Sequence, residues 1–166
     1  MRSFGGKTPR IAESAFVSEA AYIVGDVEIG EGASVWPGAV VRSEGRGLRV
    51  GRNSHIEDNS VVHGGVQIGD NVIVGHGTVI NCRSIGNNVL IGMNATLLQG
   101  AVIGNFCMIG AGCLVSQDME VPDNSLVVGV PAKIQGEVTQ EQVRRWLQGA
   151  PEHYAQLAKQ YKEQGL

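Results

Sequence analysis

The sequence predicts an all-β fold, a parallel β-helix wound from six-residue units and followed by a C-terminal α-helix. Three observations carry this: an aliphatic residue at every sixth position over most of the chain, turn residues at fixed offsets from it, and helical periodicity after residue 136. The hexads run without a break through Ile11, Val17, Ile23, Ile29, Val35 and Val41. After a slip of three residues they resume at Val50, Ile56, Val62, Ile68, Val74 and Ile80. A slip back by one leads to Ile85, Ile91, Leu97, Ile103, Ile109, Val115, Val121 and Val127. None of these twenty positions is charged, so they are expected to face inward. Four residues further on stands a small or aliphatic residue, as at Ala15, Ala33, Ser60, Ala95, Cys107 and Cys113, which should face inward too.

Glycine follows the aliphatic residue in Ile29-Gly30, Val50-Gly51, Ile68-Gly69, Ile85-Gly86 and Ile103-Gly104, often with Asp or Asn just beyond. Such residues take positive φ cheaply, so each hexad reads as a short strand and a turn. Three hexads then make a triangular coil of 18 residues, and twenty make about seven coils. The first slip falls in Arg42-Ser43-Glu44-Gly45-Arg46-Gly47-Leu48-Arg49, a polar stretch expected to leave the coil as a short loop. Residues 1–135 are thus expected to form the β-helix and residues 136–166 a helical segment packed on it. Thr139-Gln140-Glu141-Gln142 reads as a capping box. Val143, Trp146 and Leu147 form one apolar stripe and Tyr154, Leu157, Ala158 and Tyr161 another, with Gly149 and Pro151 expected to break the helix between them.

Composition narrows the partners. A net charge of −3 leaves no basic excess for nucleic acid or an anionic membrane. No apolar run is long enough to span a bilayer, and MRSFGGKTPR lacks the apolar stretch of a signal peptide, so a soluble cytoplasmic protein is expected. Three cysteines without a CxxC pair argue against a disulfide framework and fit a reducing compartment.

An 18-residue coil stacks residues 18 apart on neighbouring coils. His63 and Asn81 form such a pair, each directly after an inward aliphatic residue, and both should point outward about 5 Å apart. His76 stands at the corner leading into the face of Asn81, with Asp58 beneath it. His55 near a turn is expected to be solvated, and Cys82, beside Asn81, offers a thiolate if the corner turns it outward.

The stretch Ser34-Val35-Trp36-Pro37-Gly38-Ala39-Val40-Val41-Arg42 and the ending Ser125-Leu126-Val127-Val128-Gly129-Val130-Pro131-Ala132-Lys133 resemble those of γ-class carbonic anhydrases, and the order and spacing between them are similar. The resemblance covers nearly the whole chain and implies the left-handed form of the β-helix. It also implies a homotrimer in which three histidines at each interface bind zinc, iron or cobalt, two from one subunit and one from its neighbour. His63 and His76 match two of these ligands, and the third position is Asn81. Arg42 and Asp58 match a pair that the family uses across the interface, Glu44 an acid usually written as Asp, and Glu57 a Gln near the metal.

The resemblance therefore implies a lyase that hydrates CO2 to bicarbonate at a metal ion, with Glu57, Arg42 and Asp58 supporting catalysis and His63, His76 and Asn81 holding Zn2+, Fe2+ or Co2+. Asn81 replaces an imidazole by a weaker amide donor, so the expected activity is weak or absent. Two alternatives are a non-catalytic assembly homologue and a hexapeptide-repeat acyltransferase using coenzyme A.

Overall fold

The computed structural model describes residues 1–165 as a parallel β-solenoid of about seven turns carrying a C-terminal helical segment. The inward aliphatic residues stack in three columns, one for each face of the triangular coil. On the first face Ile11, Ile29, Val50, Ile68, Ile85, Ile103 and Val121 are successive register partners. The second face stacks Val17, Val35, Ile56, Val74, Ile91, Ile109 and Val127. Ile23, Val41, Val62, Ile80, Leu97 and Val115 form the third. All these pairings are parallel; at the end of the coil Ser125–Val128 pairs antiparallel with Lys133–Glu137.

The core is the sum of these columns. From Ile23 onward every one of the hexad residues is buried, and Cys107 and Cys113 are enclosed with them. Burying a Val or Ile side chain contributes about 1.5–3 kcal/mol, and the repeat multiplies that contribution coil by coil. Turns are set by residues that tolerate positive φ. Gly77 has φ +69°, and a Cβ there would come 2.5 Å from Asn94 Oδ1 in the next coil, so the corner after His76 requires glycine.

The first slip is absorbed differently from the sequence expectation. Arg42 to Arg49 does not leave the coil as a loop, because Val40–Val50 is one continuous strand, the longest in the structure. Gly25 pairs with Ser43 and Val27 with Leu48, so residues 44–47 bulge out opposite Asp26 while pairing continues on both sides. Ser43 and Leu48 stay buried at the bulge's ends. A bulge accommodates the extra residues because the ladder is interrupted only locally, and it pushes the surplus side chains outward.

The helical segment begins as predicted: Gln142 N–H donates to Thr139 Oγ1 at 3.2 Å and Thr139 N–H to Gln142 Oε1 at 2.8 Å. The expected break at Gly149 and Pro151 is instead a change of helix type. Val143–Gln148 is a π-helix, Gly149–Gln164 is α-helical, and Gly149 N–H bonds to the Arg144 carbonyl. Pro151 sits in the first turn of the α-helical part, where its missing N–H costs little. The stripe of Tyr154, Leu157, Ala158 and Tyr161 packs on Phe16 and Trp36 of the second face. Trp36 lies 5.3 Å from Phe16, 5.1 Å from Tyr161 and 5.8 Å from Tyr154, ring centre to ring centre. Among the described residues, no helix is long and apolar enough to cross a membrane.

Candidate metal centre

Two corners of the coil carry the ionisable residues singled out in the sequence, and they lie at opposite ends of the third face. At the far corner, Val62 points inward at the end of Val61–His63, so alternation turns His63 outward. Register pairs His63 with Arg42, and the Val62–Ile80 pairing puts Asn81 on the next rung. Arg42, His63 and Asn81 therefore form one outward column. A Cβ on Gly64 would come 3.4 Å from Asn81 Oδ1, so the amide hangs over the turn that follows His63.

The bulge brings Glu44 to this column. Its Oε2 lies 3.2 Å from His63 Nε2, and its Oε1 accepts a hydrogen bond from the Arg42 guanidinium. Although desolvation works the other way, hydrogen bonding to Arg42 holds the Glu44 carboxyl below the usual range. Beside it opens a cavity of about 590 Å3, lined by Ser43, Glu44, Arg46, His63, Asn81 and Arg83 among others. Cys82 also touches it, but the residue is buried and burial pushes its thiol up to about 12, so it offers no thiolate.

At the near corner, His76 follows the second-face strand Ile73–Val74. Its Nδ1 lies 3.0 Å from Asp58 Oδ2, as the 18-residue stacking predicts, and its Nε2 lies 3.1 Å from Glu57 Oε2. The same Glu57 oxygen accepts the His76 backbone N–H at 3.0 Å. Only 4% of the Glu57 side chain is exposed, and this burial raises its pKa. Tyr154, brought by the helix, lies beside Glu57, and burial together with that carboxylate raises the Tyr154 pKa. Within one chain Arg42 is thus paired with Glu44, and Asp58 with His76.

His55 lies in neither corner, and its expected exposure is wrong: it is 0% exposed. Its Nδ1 is 2.7 Å from Ser34 Oγ, which also accepts the Trp36 Nε1–H at 2.7 Å, and its Nε2 is 2.9 Å from the Pro151 carbonyl. The Pro151 carbonyl can only accept, so Nε2 carries the proton and Nδ1 accepts from Ser34. His55 also stacks on Tyr154 at 5.7 Å. A signal for this burial was present: the other outward positions of the second face include Phe16, Ile73, Leu90 and Met108, which mark a face that something must cover.

Among the described residues of one chain, no three His, Cys, Asp or Glu side chains converge on a point suited to a metal ion. His63 with Asn81, and His76 with Glu57 and Asp58, are two part-sites that one chain cannot join.

A coil of this kind, with ionisable side chains at its corners, defines a hexapeptide-repeat protein; the family described as "Bacterial transferase hexapeptide (six repeats)" matches residues 47–82 and 84–117. A carbonic anhydrase of Geobacillus kaustophilus is 37% identical over 163 residues, covering 96% of this chain and 89% of that protein. Mitochondrial γ carbonic anhydrase 2 of Arabidopsis thaliana is 37% identical over 162 residues, covering 92% of this chain. The chain spans only 58% of the length of that plant relative. Among solved structures, a hexapeptide transferase family protein from Anaplasma phagocytophilum superposes with a TM-score of 0.92 at 35% identity, covering 96% of each chain. A Bacillus cereus protein described as a putative acetyltransferase gives 0.80 at 34% identity, covering 98% of this chain and 96% of the other. The chain belongs to the γ-class carbonic anhydrase family.

Proposed function

We propose that the protein is a homotrimer of the γ-carbonic anhydrase kind, with a divalent metal ion at each interface between His63 and Asn81 of one protomer and His76 of the next. Proteins of this family and of the hexapeptide transferases are typically trimeric. The observation that carries the reading is the placement of the two part-sites at opposite ends of one face. Three triangular coils set side by side bring the far corner of each against the near corner of its neighbour. The side chains present fit a metal: two imidazoles, an amide and a buried carboxylate suit a borderline ion such as Zn2+, Fe2+ or Co2+.

A bound ion would act as a Lewis acid, lowering the pKa of a water to about 7 for reaction with CO2. The chain's own residues then do the rest. Asp58, 3.0 Å from Nδ1 of His76, would orient that ring with Nε2 toward the ion, while Glu44, held by Arg42, fixes the ring of His63. The amide of Asn81 donates more weakly than an imidazole, so CO2 hydration is slow or absent. Reconstitution with Zn2+ or Co2+ should give one ion per protomer in a trimer by analytical ultracentrifugation, and H63A and H76A should each lose it. A monomer, or a trimer that takes up no ion, would refute the metal site.

Asn81 favours a second reading, a non-catalytic assembly homologue, which the same measurement separates because it predicts a trimer without metal. A third, a coenzyme A acyltransferase, draws on the similarity to the Bacillus cereus protein and on the His63–Glu44 pair as a base with its orienting acid. Direct titration with acetyl coenzyme A tests it.

A further inference from the structure

We infer that Glu57 is itself a metal ligand, chelating the ion together with His76 and supplying the anionic donor that Asn81 cannot. This rests on the interface metal site proposed above. The first argument is distance. An ion bonded at about 2.1 Å to both a nitrogen and an oxygen holds those atoms roughly 3.0 Å apart at a right angle and roughly 3.4 Å at the tetrahedral angle. His76 Nε2 and Glu57 Oε2 lie 3.1 Å apart, inside that interval.

The second argument is proton counting. A neutral imidazole carries one N–H, yet both ring nitrogens of His76 face carboxylate oxygens, at 3.0 Å and 3.1 Å. With one N–H to share between two carboxylates, at least one of these close contacts sets a ring-nitrogen lone pair beside carboxylate oxygens, a contact that a second proton or a metal ion would relieve. The third argument is charge. Among the described residues no Lys or Arg pairs with the buried Glu57, whereas the other candidate, Glu44, is exposed and already paired with Arg42. A buried carboxylate without a cation is costly, and an ion bridging it to His76 removes that cost. The His76 backbone N–H holds the carboxylate in place beforehand, with Tyr154 beside it.

The test is Co2+ titration of metal-stripped protein, read by d–d absorption and calorimetry rather than by activity. E57Q keeps the shape of the side chain and an acceptor for the His76 N–H. Loss of a neighbouring hydrogen-bond partner of a ligand costs 10- to 100-fold in affinity, so loss of a ligand should exceed about 100-fold. Weakening of more than about 100-fold in E57Q supports the inference, and a smaller change overturns it. If E57Q does not fold, as judged by its melting curve, N81H decides. With Glu57 already completing the site, the added imidazole should tighten Co2+ binding less than tenfold, and a larger gain overturns the inference. A wild-type protein that binds no Co2+ refutes the interface site itself, an outcome distinct from either of these.

Discussion

Acidification from pH 7 to pH 4 should destabilise this protein through His55, and the size of the effect follows from the ring's surroundings. The imidazole is fully enclosed, and both nitrogens have fixed hydrogen-bond roles toward Ser34 and Pro151. A proton on Nδ1 would face the Ser34 hydroxyl, which already accepts from Trp36. Burial lowers the pKa from 6.5 to about 4, although the bond to the Pro151 carbonyl works the other way. The folded-state value is the depressed one, so the unfolded chain takes up a proton first. Stability from His55 is therefore fully present above pH 6.5 and is lost as pH falls towards 4. The shift corresponds to about 3 kcal/mol. Glu57 acts with the opposite sign, because its raised pKa relieves a buried charge as pH falls. The comparison is therefore made against H55Q, whose amide offers an acceptor to Ser34 and a donor to Pro151, and in which the Glu57 contribution is common. Urea unfolding at fixed protomer concentration should show wild type losing about 3 kcal/mol more than H55Q between pH 7 and pH 4. A difference that changes by less than about 1 kcal/mol over this range would refute the buried neutral imidazole.

Two further outcomes follow from burial. Cys82 is 4% exposed with its thiol pushed up to about 12, so it should not react with Ellman's reagent at pH 8 until the protein unfolds; prompt reaction of the native state would contradict its placement. Trp36, also 4% exposed and central to the aromatic cluster under the helix, should cost about 3–5 kcal/mol when changed to Ala, with proteolysis within Gly149–Gln164 as the sign of an undocked helix; a loss below about 1 kcal/mol would refute the contact.

The repeat was legible because one physical demand, an aliphatic side chain facing the axis, recurs twenty times without a charged exception. Both slips were legible for the same reason, and register pairs 21 and 17 residues apart replace the usual 18 where they fall. That arithmetic also placed Asn81 beside His63 and Asp58 beside His76. What the period could not show was how a surplus is housed. A polar stretch rich in glycine suits a loop and a bulge equally, and only the pairing of Val27 with Leu48 decides. The role of His55 was hidden because it depends on the Pro151 carbonyl, 96 residues away: the apolar outward residues mark the covered face, but not the backbone group that meets the ring. Gly149 and Pro151 misled for the opposite reason: their local preference against helix is real, but a π-helical stretch just before them lets the chain continue.

The helix does more than close a hydrophobic face, because it sets the surroundings of two ionisable groups at once. Tyr154 stacks on His55 and lies beside Glu57, so one side chain borders both. Burial moves the two groups in opposite directions, His55 down and Glu57 up, and in each case the neutral form is the one favoured. The helix therefore creates a strip of low polarity along the second face, which ends at the corner of His76. Admitting water there would make Glu57 a better-solvated anion and a weaker partner for any cation at His76, since solvent screens the attraction that burial strengthens. Loss of the helix contact should thus weaken whatever ion the near corner holds before the coil itself unfolds, for the coil's own columns of Val and Ile do not depend on Tyr154.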